Sequence, residues 1–300
     1  MKNKTSFLSH SVAFSALFVL GDAVIILPLK GADEYTFLGF LAASVIGFLL
    51  YLLFLPLSSA LFSNTIHTDP LFKKAFYIIF YILISLVSLF CAAKTFSNFI
   101  KFANSVILPE IPLFVITASF ILAVIFFFLK GEKSILKFSL IAFAFILIAI
   151  IFFTFSTFKD FNFRNIFIFS FPKPKKLYQS SLSYIKNPLC QSFFIPIFLN
   201  FHFGKKQNLK AIGGFLCGIC VLGVCLLTSL LLFGADFSGK LPFAYSSAIS
   251  TVTVGRLFTR MDGFAYYIFF SCALVKISLY AFILKGSLKR INLLFSTLKS

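Results

Sequence analysis

The sequence predicts an all-α polytopic membrane protein with about eight transmembrane helices. Its 300 residues are 60% hydrophobic and only 12% charged, whereas soluble domains carry about 25% charged residues. The apolar residues form repeated blocks of about 20 residues, the length that a spanning helix needs. Lys and Arg gather at the edges of these blocks, so the net charge of +18 indicates contact with lipid headgroups and not with nucleic acid.

The apolar blocks leave no room for a soluble domain, and residues 1–300 are expected to form a single transmembrane domain. Two segments between the spans are expected to lie at the outer interface. Residues 175–187 are typical of an amphipathic helix. Residues 241–258 are apolar but rich in Ser and Thr, and we expect them to form a helix that lies over an outer vestibule. The alternative for residues 241–258 is a ninth span. The predicted spans are about 10–30, 36–62, 73–104, 111–130, 134–156, 186–203, 209–233 and 263–285.

The distribution of Lys and Arg predicts that both termini are cytoplasmic. With the N-terminus inside, the inner segments hold fourteen Lys and Arg residues and the outer segments hold eleven. Six of those eleven lie in the long segment 157–187, and without this segment the ratio is fourteen to five. Positive charge is retained on the cytoplasmic side of membrane proteins, which favours this orientation.

Asp22 and Lys276 lie inside predicted spans, where a charged side chain costs at least ~2.5 kcal/mol. Gly21 precedes the acid and indicates a break in the first helix, which would open Gly21, Asp22 and Ala23 to a ligand. Lys276 lies deep in the eighth span and needs an internal partner, for which Asp22 is the available acid. We therefore expect an Asp22–Lys276 charge pair. The pair either belongs to a site for a substrate or a proton, or has a structural role only.

A second break is predicted in the sixth span, where Pro188 and Pro196 bracket the stretch NPLCQSFFIPIF. Proline removes a backbone donor and kinks or interrupts a helix. Gln191 and Ser192 lie in this stretch, and we expect them to bind ligand if the helix is discontinuous. An ordinary proline kink is the alternative.

The third span carries a polar stripe that includes Lys94 and Asn98 at helical spacing. Such a stripe in an apolar helix indicates that the helix lines a cavity or approaches the outer surface. Both residues are therefore candidate cavity-lining residues. Snorkelling of the Lys94 ammonium to the interface is the alternative.

Nothing in the sequence predicts an enzyme, a metal site or a cofactor. It contains no Walker motif, nucleophile elbow or HExxH motif. Cys217 and Cys220 form a CxxC, but no second CxxC or His pair accompanies them, and a structural zinc site needs about four ligands. We interpret these cysteines as small packing residues in a membrane helix.

Three stretches resemble the spore germination permease family, which comprises the B-type subunits of nutrient germinant receptors. LGDAVIILP is similar to the family's glycine-containing first helix, and KTFSNFIKFANSVILPEIP to its third helix and the following turn, with Ile111 in place of a threonine. GRLFTRMDGFAYYIFFSCALVKISLYAF is similar to its eighth helix and is the most specific of the three. The resemblance covers most of residues 7–285.

This resemblance implies membership of the amino acid–polyamine–organocation superfamily and a LeuT-like fold of two inverted five-helix repeats. Helices one and six of that fold are broken at the binding site, and helix eight lies beside helix one. Lys276 would then replace a coupling ion of related transporters with a fixed charge. The family usually has ten spans, so the chain is expected to be C-terminally shortened, and it has Cys190 and Gln191 where members often have Gly-Glu.

The resemblance implies a germinant receptor B subunit that binds a small nutrient, such as an amino acid, and signals germination. Its partners would be an A-type membrane subunit and a C-type lipoprotein, in the bacterial cell membrane or the inner spore membrane. A proton-coupled permease for amino acids or amines is the first alternative. A truncated remnant that binds no ligand is the second.

Overall fold

The fold, taken from a computed structural model, consists of ten α-helices and several short helical turns in the part of the chain that the structure describes. The described residues are 2–21, 23–24, 26–27, 29, 35–61, 71–107, 111–165, 174–203, 205–252 and 261–299. The helices are α1 (Lys2–Leu20), α2 (Thr36–Leu61), α3 (Leu71–Phe102), α4 (Leu113–Lys130), α5 (Glu132–Ser156), α6 (Pro174–Lys186), α7 (Phe194–His202), α8 (Lys205–Ser238), α9 (Ala244–Ser250) and α10 (Asp262–Lys299).

Six of these helices are long and apolar enough to cross a membrane, and no strand occurs among the described residues. The prediction of an all-α polytopic membrane protein is therefore confirmed. Two shorter apolar helical stretches, His10–Leu20 and Leu189–His202, fall within the predicted first and sixth spans. The six long segments are Thr36–Ser59, Lys74–Val106, Leu113–Lys130, Glu132–Ser156, Asn208–Ser238 and Gly263–Ser296.

The two segments expected at the outer interface contain short helices. Residues Pro174–Lys186 form α6, which packs closely on α2: a Cβ atom added to Gly39 would lie 2.7 Å from Cβ of Ser180. Residues Ala244–Ser250 form α9, while residues 253–258 of the second segment lie outside the described part of the chain.

Helix α1 lies at the centre of the protein and contacts α5, α8 and α10. Every side chain from Ala13 to Leu20 is buried. The contact with α8 depends on a Gly-x-x-x-Gly motif, because Gly214 packs against the Val12 carbonyl and Gly218 against the Ala16 carbonyl. Small residues of this kind let two membrane helices approach until their backbones touch.

The α1–α8 contact predicts that alanine substitutions at two adjacent glycines have very different effects on the stability of the protein. A Cβ at position 214 would collide with the Val12 carbonyl and lie 2.8 Å from Cβ of Ser15, whereas a Cβ at position 213 meets nothing within 4 Å. We expect Gly214→Ala to destabilise the protein by about 1–3 kcal/mol, the typical cost of overpacking. Gly213→Ala is the matched control and should be neutral or slightly stabilising, since alanine favours helices.

A thiol-reactive dye measures this difference in detergent, because three of the six free cysteines, Cys91, Cys225 and Cys272, are buried and become accessible on unfolding. The exposed Cys190 and Cys220 react before the transition and set the baseline. The Gly214→Ala variant should release its thiols at a lower temperature than wild type and Gly213→Ala should not. Equal melting of the two variants would contradict the close α1–α8 packing.

Candidate functional site

The first helix ends inside the protein. Its last regular residue is Leu20, and Gly21 follows with φ of +38°, a backbone conformation that residues with a Cβ rarely adopt. The amides of Ala23 and Val24 both donate to the Leu20 carbonyl, at 2.8 and 3.2 Å, and close the helix end. Ala23 and Val24 are buried, so this break in the backbone lies within the helix bundle. Asp22 lies outside the described residues.

The ammonium group of Lys276 lies at this break. A Cβ added to Gly21 would be 2.7 Å from Lys276 Cδ and 3.0 Å from its Nζ, and the Lys276 side chain is completely buried. Its Nζ also lies 5.6 Å from the centroid of the Phe18 ring. The C-terminal end of a helix carries partial negative charge and an aromatic face attracts cations, so both stabilise the buried ammonium. Gly21 is therefore required both for the turn and for the space that Lys276 occupies.

The second break lies between α6 and α7. Helix α6 ends at Lys186, and a 3₁₀ turn over Leu189–Phe193 precedes α7. Gln191 and Ser192 are in this turn and both are buried. The Gln191 amide Nε2 donates to Asn187 Oδ1 at 2.9 Å, and the Ser192 hydroxyl donates to the Leu189 carbonyl at 2.6 Å.

Tyr280 of α10 joins the two breaks. Its hydroxyl donates to Gln191 Oε1 at 2.9 Å in the second break. Its ring packs edge-on against Phe18 of α1 and Phe194 of α7, with ring centroids 5.7 and 5.1 Å apart. Because Tyr280 follows Lys276 by four residues, the two side chains lie on the same face of α10. One helix face thus touches both interrupted helices.

A chain of contacts therefore joins the two breaks. Lys276 contacts Gly21 and the Phe18 ring. Tyr280 contacts the Phe18 ring and Gln191. Ala23 and Ser192 belong to the same two breaks. Sequence reasoning missed Tyr280, although its position one helical turn beyond Lys276 was a usable signal.

The two residues predicted on the third span are in different environments from those at the breaks. Lys94 is exposed on the outside of α3, and Asn98 is half-buried. That they line a cavity stays a prediction. Among the described residues no group of three His, Cys, Asp or Glu side chains could hold a metal ion.

Six helices that are long and apolar enough to cross a membrane define the class: a polytopic α-helical membrane protein. A family model described as spore germination protein matches residues 8–297. The chain belongs to this spore permease family, which gives it a germination-related, permease-like role in a membrane. Searches of curated proteins and of solved structures gave no match.

The bond between Tyr280 and Gln191 should be measurable as an energetic coupling. Tyr280→Phe keeps the ring contacts and removes only the hydroxyl, so we expect a loss of about 0.6–1.7 kcal/mol of stability, the range for polar contacts between membrane helices. Gln191→Leu leaves the same hydroxyl unsatisfied, so the two losses should not add in the double variant.

Thermal release of buried thiols again provides the measurement. Tyr267→Phe is the matched control on α10, because none of the described hydrogen bonds involves the Tyr267 hydroxyl. A fully additive double variant, or an equal effect of Tyr267→Phe, would show that the 2.9 Å contact does not couple the breaks.

Proposed function

We propose that the chain is a B-type germinant receptor subunit that binds a small nutrient, such as an amino acid, at the two helix breaks. The observation that carries the proposal is the arrangement of Lys276 and Tyr280, since one face of α10 contacts the break at Gly21 and the turn that contains Gln191. Broken helices offer unpaired backbone groups and helix ends to a polar ligand within the membrane. The residues proposed to bind it are Gly21, Asp22, Ala23, Gln191 and Ser192.

The same arrangement suggests how binding becomes a signal. The second break contacts α10 through the hydrogen bond between Gln191 and the Tyr280 hydroxyl, and α7 packs on α1 through the stacked rings of Phe198 and Phe14. A ligand that displaces Gln191 from Tyr280 would remove the hydrogen bond and let the turn move relative to α10. We propose that this movement is what an A-type membrane subunit and a C-type lipoprotein detect.

Ligand-induced stabilisation tests the binding step. A ligand that binds only the folded protein adds about 2.7 kcal/mol of stability at 100 times its Kd. We expect at least one member of a panel of L-amino acids, sugars and nucleosides to raise the unfolding temperature of the purified protein. Gln191→Leu should abolish the shift, whereas Gln179→Leu, an exposed glutamine of α6, should retain it. A panel without any shift would contradict nutrient binding.

We also propose that Asp22 and Lys276 form a charge pair. Support comes from the position of the Lys276 ammonium, 3.0 Å from a Cβ placed on Gly21, the residue next to Asp22. Removing one member of a buried pair leaves an uncompensated charge, which is worse than removing both. Asp22→Asn and Lys276→Met should therefore each lower the unfolding temperature more than the double substitution does. A double variant as unstable as the sum of the single ones would argue against the pair.

A proton-coupled permease is the second candidate, favoured by the complete burial of an ionisable side chain, Lys276, inside a membrane helix. Proteoliposomes with an imposed pH gradient separate the two functions. Uptake of the stabilising ligand, abolished by Asp22→Asn, would establish transport. Ligand binding without uptake, together with co-purification of the A-type and C-type subunits, would establish the receptor.

For the membrane arrangement we propose a LeuT-like fold with both termini cytoplasmic. The two interrupted helices that meet beside α10 support the fold. The orientation is supported by positive side chains at the end of the bundle where α4 and α5 join: Lys130 and Lys285 lie 5.7 and 5.0 Å from the rings of Phe126 and Phe128.

A further inference from the structure

The segment that follows α5 lies at the membrane surface opposite the α4–α5 turn. Helix α5 has 25 residues and extends for about 37 Å, or about 35 Å across the membrane at the usual tilt of about 20°. The hydrocarbon core is only about 30 Å thick, and the charged Glu132 at the start of α5 stays outside it. The end of α5 at Ser156 therefore reaches the opposite headgroup layer, where residues 158–165 continue in two short 3₁₀ turns.

Exposed aromatic rings distinguish this segment from a polar loop. The side chains of Phe158 and Phe163 are 56% and 53% exposed, and their ring centroids lie 6.3 Å apart. Phe161 is half-buried and lies 5.6 Å from Phe158, so the three rings form one cluster, which we call the α5 end patch. Because exposed apolar patches mark interaction sites, this patch needs a partner.

The lipid bilayer is the partner that the α5 end patch fits. Phe152 and Phe155, in the last turn of α5, are exposed on the outside of this membrane helix, and the patch follows them directly. Lys159 and Arg164 are also exposed, and they alternate with the rings of the patch. Rings that enter the acyl boundary while basic side chains stay among the phosphates are typical of a segment that lies in the membrane interface.

The same segment is hydrogen-bonded to α8 at the point where that helix bends. The bend is at Gly234, whose φ of +73° is not helical. The Leu231 carbonyl, just before the bend, accepts the backbone amide of Asn162 and the side-chain amide of Asn165, each at 3.1 Å. A Cβ added to Gly234 would lie 3.5 Å from Asn165 Cγ, so this asparagine also packs against the bend.

We propose that the α5 end patch inserts into the boundary between headgroups and acyl chains, and that Asn162 and Asn165 thereby hold the bend of α8 at the membrane surface. The bend leads by a short turn to Phe243, which packs against Phe102 of α3 with ring centroids 5.1 Å apart, and then to α9. The anchor therefore fixes the position from which α9 starts. The proposal depends neither on the nutrient nor on which side of the membrane the patch lies.

Depth-dependent quenching in phosphatidylcholine vesicles tests the lipid contact with the full-length protein. The chain contains no Trp, so Phe163→Trp provides a single fluorophore. A doxyl group near the glycerol end of the acyl chain should quench it at least about twofold more strongly than one near the chain end, because the patch enters only the boundary. Iodide in the buffer should quench it at least about threefold less than it quenches N-acetyltryptophanamide.

Ile148→Trp is the matched control for depth. Ile148 is 68% exposed on α5 and lies about 12 Å before Ser156 along the helix, so the deeper doxyl group should quench this variant more strongly. Iodide quenching of the Phe163→Trp variant equal to that of N-acetyltryptophanamide would place the patch in water and overturn the proposal. Stronger quenching of this variant by the deeper doxyl group would overturn it as well.

Two asparagine substitutions test the connection to α8. Asn165→Ala removes the side-chain donor to the Leu231 carbonyl, whereas Asn162→Ala retains the backbone amide that donates to the same oxygen. In vesicles, Asn165→Ala should lower the temperature at which the buried thiol of Cys225 on α8 becomes reactive by about 2–4 °C, and Asn162→Ala should leave it nearly unchanged. Equal temperatures for Asn165→Ala and wild type would show that the segment does not hold the bend.

Discussion

The buried ammonium of Lys276 is the constraint around which the centre of this protein is organised. A charge with no access to water must be stabilised by fixed dipoles, aromatic faces or counter-charge. The C-terminal end of α1 supplies a dipole and Phe18 supplies an aromatic face. Both depend on α1 ending at Leu20 and on Gly21 leaving room for the lysine. The break in the first helix and the buried charge therefore require each other.

Close packing holds this arrangement in place. Because α1 ends inside the bundle, neighbouring helices must fix the position of that end. The glycines of α8 bring its backbone against the Val12 and Ala16 carbonyls, which immobilises α1 just before its end. On the other side, Tyr280 ties the second break to the same helix through Gln191 and Phe18. Small residues, aromatic packing and a hydrogen bond thus position both breaks, because lipid provides no hydrophobic force between helices.

Two lysines of the long apolar helices differ in their surroundings. Lys276 faces the bundle and belongs to the candidate ligand site. Lys94 faces outward on α3 and is exposed. A charge inside the bundle is costly unless it is stabilised, so the buried Lys276 indicates a specific interaction.

The sequence by itself determined the class of the protein, since its apolar blocks and scarce charges permit only a bundle of membrane helices. It also located both breaks, because Gly21 and the proline-bracketed stretch around Gln191 act on their own backbone. The tertiary structure alone decided what meets at these breaks. Tyr280 and Gln191 are 89 residues apart, and no local pattern records their hydrogen bond. Nor does an apolar helix reveal whether its lysine faces inward, as Lys276 does, or outward, as Lys94 does, since burial depends on which neighbouring helices cover each face.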